Sequence, residues 1–143
     1  MPTTCATPNK ESQPNTSVKT KAAILVLSDP KAGSEEALGR VFNALAAAYD
    51  FKQQGDEVTV RFQGTGTRWI GELSKADHPA HDLFEAVKDK VAGVSCGCAD
   101  VFGANEEVEK SGFDLIKDNP VPGTSGLASL RKLAADGYTV LTF

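Results

Sequence analysis

Residues 22–45 read AAILVLSDPKAGSEEALGRVFNAL. The apolar run Ala22–Leu27 is unbroken, the pattern of a strand covered on both faces. Ser28–Gly33 interrupts it with Asp, Pro and Gly, residues that favour a loop. Ser34 is placed as an N-cap, and Glu35 and Glu36 complement the positive end of a helix dipole. Leu38, Val41, Phe42, Leu45, Ala48 and Tyr49 then recur at intervals of three and four, which predicts an amphipathic helix over 35–54, stopped by Gly55.

Downstream the same alternation continues. Glu57–Phe62 is a second strand, with Val58, Val60 and Phe62 on one face and Thr59 and Arg61 on the other. After Gly64–Thr65–Gly66–Thr67 and a weakly helical stretch around Trp69–Leu73, Asp77 and Pro79 open another helix, with Leu83, Phe84, Val87 and Val91 as its buried stripe. Gly93–Cys96 is a short third strand. A helix is expected over 99–111 through Val101, Phe102 and Val108, and Phe113–Lys117 is a fourth strand. Thr124 or Ser125 caps a last helix carrying Leu127, Leu130 and Leu133, and Tyr138–Phe143 closes the chain as a strand. Strands alternating with helices predict an α/β fold, a three-layer flavodoxin-like sandwich around a five-stranded, mainly parallel sheet. Residues 1–20 are polar and Pro/Ser/Thr-rich, a composition too poor in apolar groups to offset ordering entropy. They are expected to be a disordered N-terminal tail before a single domain over 21–143.

Charge and hydropathy exclude several classes of function. Residues 1–21 carry Lys10, Lys19 and Lys21 against Glu11, a balance of +2, so the remaining 12 basic and 18 acidic residues leave the body at −6. A body of that sign repels phosphate backbones, so no nucleic acid partner is expected. No apolar stretch reaches the ~18 residues of a membrane span, and the N-terminus has no apolar signal core; no membrane association and a cytoplasmic location are expected. The Gly64–Thr67 loop matches neither G-x-G-x-x-G nor G-K-[ST], and Asp29–Pro30 is a poor phosphate host, so no cofactor is expected.

The three cysteines are too few for a disulfide framework. Cys5 lies in the polar tail. Cys96 and Cys98 form C-x-C where the third strand meets its helix, at the strand end where open parallel sheets gather their reactive groups. A thiol beside a helix's first turn faces unpaired N–H groups that favour thiolate, the nucleophile of sulfur exchange and persulfide formation. Burial as a small hydrophobe is the competing use of such a cysteine. Zinc is a rival use of the cluster, with His78 and His81 (H-x-x-H) joining Cys96 and Cys98 as ligands, although C-x-C is shorter than the usual spacing.

The stretches AAILVLSDPKAGSEEALGRVFNAL, DEVTVRFQGTGTRWIGEL, HDLFEAVKDKVAGVSCGCADVFGA and LAADGYTVLTF resemble the DsrE/DsrF-like family over roughly Lys21–Phe143. The chain looks closest to stand-alone members with an F-x-G-x-G-T-x-W pattern, here Phe62–Trp69, most of them of unassigned function. The resemblance implies a flavodoxin-like fold and a homo-oligomer (dimer, trimer or hexamer). In the sulfur-relay members it also implies a cysteine that carries persulfide. Many relatives show C-x-x-C ahead of a helical segment and a glycine. Counted back from Gly103, the second cysteine of that pattern is Cys98, while Ser95 stands at the first and Cys96 one residue later. The expected activity is therefore sulfane-sulfur acceptance or transfer through Cys98, with Cys96 as helper or alternate and a thiol-containing protein as partner. The expectation from another class is a non-catalytic oligomeric module that binds a small ligand or protein in the same cleft.

Overall fold

A computed structural model describes residues 19–33 and 35–143. The expected tail up to Val18, with Cys5, and the Ser34 cap lie outside the described residues. Five strands, β1 (Lys21–Val26), β2 (Glu57–Phe62), β3 (Val91–Ser95), β4 (Leu115–Ile116) and β5 (Thr139–Thr142), form one sheet in the order β4-β3-β2-β1-β5. Every pairing is parallel. Six α-helices connect them: α1 (Glu35–Gln53), α2 (Trp69–Leu73), α3 (His81–Val87), α4 (Cys96–Phe102), α5 (Asn105–Ser111) and α6 (Leu130–Ala135). The three-layer α/β sandwich is the expected one. The chain steps outward from β1 to β4 and then crosses back to place β5 beside β1.

Alternation along the strands decides what each face buries. Ala22, Ile24 and Val26 of β1 join Val58, Val60 and Phe62 of β2 and apolar side chains of α1–α5 in the larger core. Ala23 and Leu25 point the other way, onto Leu133 of α6, Tyr138 and Val140, in a much smaller core. β1 is thus buried on both faces, as its apolar run predicts.

Four local expectations are corrected. The helix expected over 99–111 is two helices, because Gly103 turns left-handed (φ 71°) at the end of α4 and both it and Ala104 donate to the Ala99 carbonyl. Val91 belongs to β3, since α3 ends at Val87 and a 3₁₀ turn over Lys88–Lys90 intervenes. Neither Thr124 nor Ser125 caps the last helix: Asn119 and Leu127 pair through two backbone bonds, Gly126 is left-handed, and the cap is Ser129, whose Oγ accepts from Lys132 N. On α1, Ala37, Val41, Ala44, Leu45 and Ala48 form the buried stripe, while Phe42 and Tyr49 are exposed. Three of these five buried positions are alanine, so small side chains as well as Val41 and Leu45 meet the core.

Candidate functional site

The carboxyl ends of β1, β2 and β3 are bound into one rim. Trp69 Nε1 donates to Ser28 O at 2.8 Å, Arg68 pairs with Asp29 at 3.0 Å, and Arg68 Nε donates to Phe102 O at 3.1 Å. The Phe62–Trp69 pattern is explained by this knot. Phe62 is core, and Gly66 lies so near β1 that a Cβ there would meet Val26 O at 2.1 Å. Thr67 is buried and donates to Gly64 O, and Trp69 closes the rim. The glycines of this loop serve chain packing.

At the β3 end of the rim, Cys96 opens α4 and is half-buried, whereas Cys98 is 8% exposed. Residues two apart on a helix do not face each other, so a Cys96–Cys98 bond requires the first turn of α4 to open. Three features place the 124–128 segment on the start of α4, beside Cys96. Gly97 N donates to Gly126 O at 2.7 Å. A Cβ on Gly97 would meet Leu127 Cδ1 at 2.8 Å and Gly126 O at 3.1 Å, so the residue inside C-x-C is the floor on which the segment rests. Buried Ser95 accepts from Ala128 N at 3.1 Å.

This packing brings together groups far apart in sequence. Cys96 Sγ lies 3.4 Å from Ser125 Oγ. Ser125 Oγ in turn donates to Asp100 Oδ2, and Asn105 Nδ2 donates to Asp100 Oδ1 at 2.6 Å. The bonds from Ser125 and Asn105 hold the Asp100 carboxyl below the usual carboxylate range. A cleft of about 280 Å³ opens beside them, lined by Gly97, Asp100, Val101, Gly123, Thr124 and Ser125. Asp100 lies one helical turn from Cys96, a spacing visible in the sequence. Ser125 had no such signal, because only the return of the chain after β4 brings it to the thiol.

The histidines are not brought into this cluster. His78 Nδ1 accepts from Ala80 N at 3.1 Å with its ring edge-on to Trp69, and His81 Nδ1 lies 2.8 Å from Leu73 O. Among the described residues no three or more His, Cys, Asp or Glu side chains gather as a ligand set, so H-x-x-H and C-x-C do not combine into the zinc site considered above. A separate cleft of about 390 Å³ lies where the strand order reverses, at the carboxyl ends of β1 and β5 between Ser28, Asp29, Arg40 and Phe143. No described helix is long and apolar enough to cross a membrane.

The model of the DsrE/DsrF-like family matches residues 20–143. An uncharacterized protein of Methanocaldococcus jannaschii is 32% identical over 101 residues, covering 71% of this chain and 78% of that protein. No solved structure gives a significant match.

Proposed function

The chain belongs to the DsrE/DsrF-like family, and from that premise we propose that it accepts and passes on sulfane sulfur at Cys96. The observation that carries this is a half-buried thiol at the carboxyl edge of the sheet, whose neighbour Ser125 lines the adjoining cleft. Accessibility favours Cys96 over Cys98 as the group that meets a donor, inverting the order suggested by the C-x-x-C comparison. Loading is an exchange in which the Cys96 thiolate attacks the outer sulfur of a persulfide R–S–S–H. The new bond is Cys96 S–S, the donor's S–S bond breaks, and R–S⁻ leaves with the electron pair. Passing the sulfur to a second thiol protein repeats the step in reverse. Such a carrier suits a reducing cytoplasm, and the family implies a homo-oligomer.

Mass spectrometry after incubation with an alkyl persulfide tests the proposal. Cys98→Ser is expected to gain one sulfur as the parent does, and Cys96→Ser to lose the adduct. Uptake by Cys96→Ser equal to that of the parent would overturn it.

The second reading, a non-catalytic binding module, is favoured by the cleft at the β1/β5 edge, since open parallel sheets bind ligands where the strand order reverses. It expects slow alkylation of both thiols and partner binding unchanged in the Cys96→Ala/Cys98→Ala double variant.

A further inference from the structure

The cleft beside Cys96 has a one-sided electrostatic character. Of its lining residues Asp100 alone is charged; the others are Gly97, Gly123, the hydroxyl residues Thr124 and Ser125, and Val101, which is 70% exposed. The carboxylate is held at both oxygens, by Ser125 and by Asn105, and two hydrogen bonds in series keep it within at most about 6 Å of the sulfur. It cannot swing away without breaking both bonds. A sulfur donor that reacts at Cys96 does so within about 6 Å of this negative charge.

We infer that Cys96 selects sulfur donors whose reacting end is cationic or neutral, with Asp100, linked to the thiol through Ser125, as the specificity-determining residue that disfavours anionic donors. The inference rests on the proposed sulfur chemistry at Cys96 and names its substrate class: the protonated, neutral form R–S–S–H of an alkyl persulfide or of a protein persulfide in a basic segment, in preference to the ionised persulfide, thiosulfate or an anionic polysulfide. The hydrogen bonds that keep Asp100 ionised keep the discrimination present throughout the neutral range. At about 6 Å in a water-rich cleft, one unit charge changes an encounter by roughly threefold, so the cation-to-anion ratio changes by roughly tenfold at low salt. Exposed Val101 offers apolar contact to the donor's remaining substituent.

The test uses the full chain with Cys5→Ser and Cys98→Ser, which leaves Cys96 as the reporter thiol. Two probes of similar size are compared: 2-aminoethyl methanethiosulfonate, a cation, and 2-sulfonatoethyl methanethiosulfonate, an anion. In each case Cys96 releases its thiol proton to solvent and its sulfur attacks the sulfenyl sulfur. A mixed disulfide forms as the S–SO₂ bond breaks, and methanesulfinate leaves. The ratio of the two labelling rates cancels the intrinsic reactivity of the thiol. At 10 mM salt that ratio is expected to be roughly tenfold higher in the parent than in Asp100→Asn, retained in Asp100→Glu, and compressed toward the Asp100→Asn value at 0.5 M salt. An equal ratio in parent and Asp100→Asn overturns the selectivity, as does a parent ratio that ignores salt. Asp100→Ser serves as a second uncharged variant if Asp100→Asn does not fold, because the net negative charge of the chain makes the ratio salt-dependent by itself. Failure of both probes to label Cys96 in the folded protein overturns the sulfur chemistry itself, a result distinct from equal labelling.

Discussion

Gly97 shows how a single atom sets the site. Its missing Cβ lets the 124–128 segment lie on the start of α4, and its N–H bonds to Gly126 O. Gly97→Ala inserts a methyl 2.8 Å from Leu127 Cδ1 and 3.1 Å from a backbone oxygen. Only the leucine can give way cheaply, so a loss of about 1–3 kcal/mol is expected from overpacking. Because the displaced segment carries Ser125, thermal melts should show a lowered Tm together with an altered alkylation rate at Cys96. An unchanged Tm would mean that the segment yields without cost. Gly66 is the more severe counterpart, since its neighbour is the β1 backbone itself. Ser95 and Cys96 illustrate what a motif comparison does at this scale. It places a thiol in the loop, but exposure separates Cys96 from Cys98, and exposure depends on the neighbours of α4.

Among the elements, α1 and α3 are fastened at their ends as well as along their apolar faces. Lys52 Nζ, in the last turn of α1, donates to Ala86 O at 2.7 Å and to Asp89 Oδ1 at 2.8 Å. It caps a carbonyl in the last turn of α3, where a cation is favourable. The hydrogen bond from Lys52 holds the Asp89 carboxyl below its ordinary value of 3.8. A depressed carboxylate stabilises the fold above its unfolded value, and the stabilisation is lost as pH falls through the lower native value. Lys52→Met is therefore expected to cost up to about 1 kcal/mol at neutral pH, discounted because Asp89 is largely solvent-exposed. The Tm difference from the parent should narrow between pH 5 and pH 2 without vanishing, since the bond to Ala86 O does not titrate with Asp89. A difference constant over that range would assign the whole effect to the carbonyl cap. The helix bounds themselves were legible to different degrees. The sequence places the C-terminal end of α1 to within a residue, because its period runs for five turns. The 99–111 segment reads as one helix, because the left-handed turn at Gly103 looks in sequence like any tolerated glycine.

Across the whole molecule the two faces of the sheet are unequally covered. The larger core draws on α1 through α5, whereas the smaller one rests on Leu133 of α6, with Tyr138 and Val140 beside it. Least-buried units open first. Native-state hydrogen exchange should therefore find the amides of α6 opening at lower free energy than those of α1, with β1 and β2 the slowest of all. Equal protection in α6 and β1 would show that the second face is closed by more than α6. Leu133, only 2% exposed, is the contact that resists this opening.

The α/β class, the β1–α1 unit and the placement of two cysteines at the β3 end follow from the order of residues alone, because apolar period and strand-end position are local properties of the chain. The division of Phe42 and Tyr49 from the core, the capping of α6 by Ser129, the separation of His78 and His81 from the cysteines, and the Ser125–Asp100–Asn105 chain beside Cys96 were decided only by the fold. Each depends on which segment returns to lie against which. That is set by long-range packing, such as the 124–128 segment crossing over Gly97, and no local pattern in the sequence encodes it.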